Sequence, residues 1–270
     1  MSSVRVRVET VVLAATMFLS MARSAQGQGA VSGDAGGTFD HRHSRWTNVL
    51  QVFVRDGSVD YAALKQRGQD ELDAYLASLE SVCHSQYDRW TREQKLAFWI
   101  NAYNAFTVRL VLDHYPLKSI RSIGLLPMAA FRERFIPLES LRGSKLSLDD
   151  IEHRILRREF DDPRIHFAIV CASRSCPPLR SEAYRGAEID QQLEEAARSF
   201  IRDRAMRFDA GTRTLYLSSI FKWFREDFEK SAGSLSEFVA RYADPGTASA
   251  IRAGSVKIEF LDYDWSLNGR

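Results

Sequence analysis

The chain has 270 residues, of which 45% are hydrophobic and 11% aromatic, so it can bury a sizeable core and is not expected to be disordered over most of its length. Its formal net charge is only +2, and its basic residues lie in short mixed segments such as 132–134, which argues against nucleic-acid binding. Neither an internal repeat nor a second linker interrupts residues 41–268, which we predict to be one domain.

The first 27 residues have the pattern of an export signal. Two arginines precede an apolar run over 11–21, and the small residues that follow allow cleavage after Gly27 or after Ser24. An uncleaved anchor is the alternative, but the run is shorter than the roughly 20 residues that span a bilayer. We predict a periplasmic or extracellular protein that keeps no stable membrane span after cleavage.

Cleavage would also change the charge and the start of the folded chain. Loss of residues 1–27 leaves 34 basic and 34 acidic residues, so the mature protein is nearly neutral. Residues 28–40 are rich in Gly, Ala and Ser and are predicted to be a flexible linker.

A buried central helix dominates the first half of the predicted domain. Apolar residues recur at helical spacing over 46–53, a turn is expected at Asp56-Gly57, and a second helical stretch begins at Ala62. Thr91 is the expected start of a helix that runs over about 94–114 and stops before a proline. Because this helix is apolar nearly all round, it should lie at the centre of the core.

Strands are scattered among helices in the second half. We predict a short strand over 131–136, a helix over 148–158 capped at Ser147, and an interior strand over the almost uniformly apolar residues 165–172. Further predicted elements are helices over 188–202, 219–228 and 235–242 and strands over 214–217 and 256–260. The fold class is therefore α+β, a mostly helical single domain around a small sheet.

Two amides stand out in the apolar central helix. Asn101 and Asn104 lie about one turn apart on the same face. Buried amides need hydrogen-bond partners. The simpler interpretation is that they bond neighbouring backbone, and the functional one is that they orient a catalytic group or bind substrate.

Glu152 and His153 are the first candidate catalytic pair. On a regular helix, His153 shares a polar face with Asp149 and Arg157, which favours an exposed histidine among charges. The alternative is that Glu152 and His153 point toward the strand that starts at His166 and supply a base with its orienting carboxylate.

The segment from His166 to Cys176 holds a base and two thiols within a short stretch. Strand alternation puts His166 and Cys171 on opposite faces, so Cys176, in a loop, is the better nucleophile candidate. Cys171 and Arg174 are then candidates for substrate binding or orientation. A structural Cys171–Cys176 disulfide is the competing interpretation, and Cys83 lies far off in sequence.

Other common chemistries have weak support. The spacing C-x4-C is not the C-x-x-C of thiol oxidoreductases, and the histidines and cysteines match no standard zinc arrangement. The chain has no G-x-S-x-G, Walker or G-x-G-x-x-G motif. We expect neither a cofactor nor a metal.

Several motifs in order resemble the family called domain of unknown function 547. They are Ala97-Phe-Trp-Ile-Asn-Ala-Tyr-Asn104, the segments 146–153 and 166–178, Ile220-Phe-Lys-Trp-Phe-Arg-Glu-Asp-Phe228, and the shorter segments 57–61 and 263–268. The resemblance covers about residues 45–268. It implies a domain found in exported bacterial proteins and marks Asn101, Asn104, Glu152, His153, His166 and the Cys176-Pro177 loop, without implying a reaction.

Three hypotheses for function follow. The first is an enzyme that uses these His, Cys, Glu and Asn side chains for acyl transfer or for hydrolysis of an amide or ester. The second is a non-catalytic envelope or extracellular binding domain with a structural disulfide, and the third is thiol-disulfide chemistry. The partner would be a small molecule, a peptide or a protein. At the level of fold, a central helix followed by a histidine-led strand is similar to papain and transglutaminase-like enzymes, although no cysteine starts this helix.

Overall fold

A computed structural model describes residues 38–126 and 128–270. The predicted signal segment and most of the predicted linker lie outside these residues. Within the described part, packing already begins at Phe39, whose ring lies 5.0 Å from that of Trp90, while Asp40 accepts hydrogen bonds from the backbone N–H groups of Arg42 and Ser44.

Helices make up most of the fold, as predicted. They are α1 Ser44–Phe53, α2 Tyr61–Arg67, α3 Gln69–Glu80, α4 His84–Asp88, α5 Arg92–His114, α6 Ala129–Arg132, α7 Glu139–Arg142, α8 Ile189–Phe200, α9 Ser219–Trp223, α10 Arg225–Ala232, α11 Leu235–Ala240 and α12 Pro245–Arg252. Short 3-10 helices occupy Ile120–Ser122, Pro163–Phe167 and Gly186–Glu188, and π-helices occupy Asp150–Phe160 and Ile201–Ala205.

Two small sheets complete the α+β fold. Strands β1 Val54–Arg55 and β2 Ser58–Val59 form a hairpin around the predicted Asp56-Gly57 turn. Strands β3 Met206–Asp209, β4 Thr214–Leu217 and β5 Lys257–Phe260 form the second sheet, in which β4 pairs antiparallel with β3 and parallel with β5.

The central helix α5 is confirmed. Thr91 caps it, and the side chain of Gln94 bonds back to the Thr91 N–H, which completes a capping box. Its residues from Leu96 to Val108 are all buried. This helix packs in the larger of two hydrophobic clusters, while the three-stranded sheet and α8 to α12 surround the smaller one.

The predicted interior strand over 165–172 is wrong. The chain there forms the 3-10 helix Pro163–Phe167 and continues without regular structure. The apolar residues are buried as expected, but they contact both clusters: Ile165 and Ile169 lie in the larger one and Phe167 in the smaller. Backbone groups in this segment bond to the Asn104 side chain, so they do not need a strand partner.

Three other local predictions change. The helix predicted over 219–228 is divided at Phe224 into α9 and α10. Instead of a strand over 131–136, α6 occupies Ala129–Arg132, and only Ile136 forms a bridge, with Leu146. The helix predicted over 148–158 has its expected cap at Ser147, whose Oγ accepts from the Asp150 N–H at 3.0 Å. However, it continues as the π-helix Asp150–Phe160. The wider π turn changes which residues share a face.

Candidate functional site

A cavity of about 110 Å³ lies where the π-helix, the 166–177 segment, α9 and the C-terminal segment meet. Five of the sequence-predicted candidates line it: Glu152, His153, His166, Cys171 and Cys176. No strand forms between His166 and Cys171, so the prediction that strand alternation puts them on opposite faces is wrong, and both line the cavity.

A hydrogen bond to a carboxylate holds His166 from one side. Its side chain is only 1% exposed, and its Nε2 lies 2.7 Å from Asp227 Oδ2. The Arg157 guanidinium binds the two Asp227 oxygens at 2.7 and 2.8 Å. Burial opposes ionisation of Asp227, but these hydrogen bonds outweigh it and lower the pKa of the Asp227 carboxyl below its ordinary value.

This arrangement fixes the tautomer of His166. A carboxylate only accepts hydrogen bonds, so Nε2 carries the proton. Burial lowers the pKa of His166, which keeps the ring neutral at pH 7 and leaves a lone pair on Nδ1. None of the described residues hydrogen-bonds to Nδ1, and the ring stacks on Phe224 at a centroid distance of 3.9 Å. The geometry thus presents a neutral base in a buried site.

Glu152 does not orient the histidine in the way the sequence suggested. Its Oε1 lies 4.0 Å from His166 Nδ1, beyond hydrogen-bond distance, and Tyr103 donates a 3.4 Å hydrogen bond to its Oε2. Burial, with the nearby charges of Cys171 and Asp149, raises the pKa of Glu152 to about 8. The group is therefore a neutral acid at pH 7 and can donate a proton or a hydrogen bond.

His153 is partly buried and lines the cavity, instead of standing in solvent. Its Nδ1 lies 3.1 Å from Arg157 Nη1, and it accepts the hydrogen bond because guanidinium only donates. Burial lowers the pKa of His153, so the ring is neutral at pH 7. The π-helix therefore turns both Glu152 and His153 toward the cavity. This agrees with the alternative interpretation of the sequence, in which both point toward the segment that starts at His166, and not with an exposed histidine.

The two thiols differ in chemistry. Cys171 and Cys176 are not joined by a disulfide, and their sulfurs lie 2.8 Å apart. The Cys176 thiol, Ser173 Oγ at 3.0 Å and the Tyr263 hydroxyl at 3.2 Å all contact the Cys171 sulfur. These hydrogen bonds, led by that from Cys176, outweigh burial and lower the pKa of the Cys171 thiol to about 7. Burial and the neighbouring sulfur raise the pKa of Cys176, which is 4% exposed.

The asparagines act on the backbone. The Asn101 side chain exchanges two hydrogen bonds with the backbone of Tyr184, at 2.7 and 3.0 Å. Asn104 donates to the Ala168 carbonyl at 2.9 Å and accepts from the Val170 N–H at 2.8 Å. Neither lines the main cavity. Asn104 nevertheless holds the segment that joins His166 to Cys171.

Arg174 does not line the main cavity. It is exposed and lines a second cavity together with Arg204 and Arg270. Of the residues that the structure describes, only Cys176 and Pro177 belong to the walls of both cavities. Five of the eight sequence candidates therefore line the main cavity, while Asn104 bonds the backbone between His166 and Cys171, and Asn101 and Arg174 lie elsewhere.

Sequence reasoning assigned no role to Asp227, Tyr263 or Arg157. Asp227 is the penultimate residue of the 220–228 motif and Tyr263 is the first residue of the 263–268 motif, so both lie within segments that carry the family resemblance. A buried histidine needs an acceptor for its N–H, and an acid in a distant motif is the signal that could have identified Asp227.

Neither a metal-binding group nor a membrane-spanning helix is found among the residues that the structure describes. Across 38–126 and 128–270, no group of three or more His, Cys, Asp or Glu is arranged to hold a metal ion. Over the same residues, none of the helices has the length and apolar character that a membrane span requires.

Fold and site together define a mostly helical α+β domain with a buried Cys, His and acid cavity. Residues 87–201 match a family model described as "Protein of unknown function, DUF547", and the protein therefore contains a DUF547 domain. The matched range is shorter than residues 45–268, over which the motifs resemble the family, and it ends before Asp227 and Tyr263. No curated protein and no solved structure matches the chain.

Proposed function

We propose that the protein is a cysteine-dependent enzyme that transfers an acyl group or hydrolyses an amide or ester, with Cys171 as the nucleophile. One observation carries the proposal: a thiol with a pKa near 7 lines the same cavity as a histidine whose Nδ1 is unpartnered and whose Nε2 is bound to Asp227. This is the functional logic of a nucleophile, a base and an orienting carboxylate.

The sequence favoured Cys176 as the nucleophile, whereas this proposal assigns that role to Cys171. Cys176 is the more buried thiol and its pKa is raised, so it is a poor thiolate. It serves Cys171 instead, because its S–H donates to the neighbouring sulfur and stabilises negative charge there.

The reaction would proceed in two steps, acylation of Cys171 and hydrolysis of the thioester. The Cys171 sulfur bonds to the substrate carbonyl carbon as its proton passes to Nδ1 of His166. The bond to the amine or alcohol breaks, and that leaving group takes the proton from Nδ1. Water then attacks the thioester, returns a proton to Nδ1 and releases the acid, while the sulfur leaves as the thiolate.

Glu152 supports this chemistry as a neutral acid. A protonated carboxyl with a pKa of about 8 can donate a hydrogen bond to the oxygen on which negative charge develops. Asp227 and Arg157 are positioning residues, since they hold the His166 ring and its tautomer without lining the cavity.

Export is part of the proposal. It is supported by the basic residues and apolar run of the first 27 residues and by the small residues that follow them. A periplasmic or extracellular location is consistent with an amide or ester substrate but does not select one.

The test is iodoacetamide labelling of the full chain between pH 5 and 9 in a Cys83→Ser background, with mass spectrometry to assign the site. We expect Cys171 to react with a half-maximal rate near pH 7. Turnover of p-nitrophenyl butyrate and of a peptide-amide panel should be lost in Cys171→Ser and in His166→Ala. The control is Val52→Ser, which also introduces a serine but does so at an exposed position. Full turnover by Cys171→Ser would refute the proposal.

The 2.8 Å separation of the sulfurs favours a second candidate. In an oxidising compartment, Cys171 and Cys176 could form a disulfide that stabilises a non-catalytic binding domain. In that case neither thiol reacts with iodoacetamide until a reductant is added. Thiol-disulfide exchange at the same pair is distinguished by reduction of insulin by the native chain.

A further inference from the structure

The second cavity has no role in the proposed reaction. Its volume is about 460 Å³, compared with about 110 Å³ for the first cavity, and this is a size that holds small organic ligands. Its walls come from the turn between β1 and β2, the 173–178 loop, the π-helix Ile201–Ala205 and the C-terminal residues 268–270. Four segments that are distant in sequence therefore meet around one space.

Hydrogen bonds and close packing fix these walls relative to one another. The Val59 N–H donates to the Asn268 carbonyl at 3.0 Å, and the Asn268 N–H donates to the Ala172 carbonyl at 3.1 Å. Gly57 has a positive φ and lies so close to Pro178 that a Cβ at position 57 would be 2.3 Å from the proline Cβ. The cavity is thus formed by the fold itself, which lowers the cost of ordering it around a ligand.

The walls carry positive charge that their own residues do not balance. Arg174, Arg204 and Arg270 line the cavity, and no Asp or Glu is among its described walls. Within the part of the chain that the structure describes, Arg174 and Arg204 form no ion pair, and Arg270 lies 3.8 Å from Asp60. Asp264 interacts electrostatically with Arg174, but its carboxylate accepts hydrogen bonds from the next serine along. A cleft with one sign of charge concentrates ligands of the opposite sign.

A neutral donor stands among these arginines. The Asn268 side chain lines the cavity and the residue is only 7% exposed. Its Oδ1 accepts a 2.8 Å hydrogen bond from the buried Tyr61 hydroxyl, whereas its Nδ2 has no hydrogen-bond partner among the described residues. Buried amide N–H groups are normally paired with an acceptor, and the oxygens of an anion would supply one here.

We propose that the second cavity binds a small organic molecule through its carboxylate or phosphate oxygens. Arg174 and Arg204 would neutralise the charge, since guanidinium groups bind both kinds of anion with two parallel hydrogen bonds, and Asn268 would donate a further one. The inference does not depend on the proposed function, because Cys171 is not a wall of this cavity.

The test is isothermal titration calorimetry of the full chain with citrate and with pyrophosphate, in about 20 mM NaCl, where charges are weakly screened. We expect saturable binding of at least one of them. Arg174→Gln and Arg204→Gln, both at exposed positions, should each weaken it about tenfold or more, and the double variant about a hundredfold. Arg202→Gln is the matched control: it is exposed on the same π-helix but does not line the cavity, and it should bind within twofold of the wild type.

Two further variants separate the roles of the residues. Asn268→Asp keeps an acceptor for the Tyr61 hydroxyl but replaces the Nδ2 donor by a carboxylate oxygen, so it should weaken binding about tenfold or more. Cys171→Ser should bind as the wild type does. If anions bind in this pattern while no ester or amide is turned over, the proposed function fails and the anion site stands.

The source of the anionic group is distinguished by a third probe, vesicles of phosphatidylglycerol. Cosedimentation with the vesicles that Arg174→Gln weakens, without binding of citrate or pyrophosphate, would assign the cavity to a lipid head group. The inference is overturned if none of the three probes binds at concentrations up to about 10 mM. It is equally overturned if Arg202→Gln weakens binding as much as Arg174→Gln and Arg204→Gln do, since the attraction would then be that of the surface and not of the cavity.

Discussion

Replacing Glu152 by glutamine should make the protein more stable, and the gain should grow with pH. The carboxyl is 12% exposed, and burial raises its pKa from 4.5 to about 8 in the folded chain. Its ionisation above pH 4.5 is therefore easier in the unfolded chain. Stability that is fully present below pH 4.5 is lost as the pH rises toward 8. Glutamine keeps an acceptor for the Tyr103 hydroxyl but cannot ionise.

The magnitude follows from the two pKa values. Between pH 4.5 and 8, each pH unit withdraws about 1.36 kcal/mol from the free energy of unfolding of the wild type. The full interval corresponds to roughly 5 kcal/mol, and residual solvent exposure reduces the expected difference between variant and wild type to about 3 to 4 kcal/mol at pH 9. At pH 4 the two proteins should differ by less than about 1 kcal/mol.

The assay is urea unfolding followed by far-UV circular dichroism at pH 4, 5, 7 and 9. Glu133→Gln, at an exposed position, controls for the loss of one negative charge. Because burial is the leading cause and the Cys171 charge comes second, most of the difference should persist in a Cys171→Ser background. A difference that does not change with pH, or a wild type that gains stability over the variant at pH 9, would refute the assignment of Glu152 as a neutral acid.

Three further outcomes test the site. Asp227→Asn should lower kcat about a hundredfold or more with little change in KM, because the histidine that it binds loses its fixed tautomer; ester turnover measures this. Cys176→Ala should move the half-maximal pH of Cys171 alkylation above 7, since the Cys176 thiol is the leading donor to that sulfur and alanine has no donor. Asn104→Ala and Asn101→Ala should each lower the free energy of unfolding by about 2 to 4 kcal/mol, as each leaves two buried backbone groups unpaired. Only Asn104→Ala should also change the rate of Cys171 alkylation, and this measurement tests whether Asn104 positions the site.

Local signals in the sequence were sufficient for the central helix. Thr91 and Gln94 form the expected cap, the apolar residues are buried all round, and the helix ends before Pro116. The hairpin turn at Asp56 and Gly57 was equally predictable, because both residues adopt the positive φ that such a turn requires. These features depend on neighbours within a few residues.

Features that depend on distant partners were not predictable in the same way. Residues 165–172 are apolar and buried, as a strand would be, but their backbone partner is the side chain of Asn104, more than sixty residues earlier. His153 faces the cavity because Asp150–Phe160 is a π-helix, and periodicity of 3.6 residues places it on the wrong face. Asp227 reaches His166 only through the tertiary fold.

One hydrogen-bonded amide connects the polar anomaly of the central helix to the chemistry of the cavity. Asn104 binds the backbone on both sides of Ile169, and this segment joins the base at His166 to the thiol at Cys171. A strand would separate those two side chains by alternation, whereas an irregular segment held by a side-chain amide allows both to line one cavity. The amide thus takes the place of a strand partner, which explains why a polar residue is kept in an otherwise apolar helix. Bonding to the backbone and orienting the site, which the sequence offered as two alternative roles for Asn104, are therefore achieved by the same two hydrogen bonds.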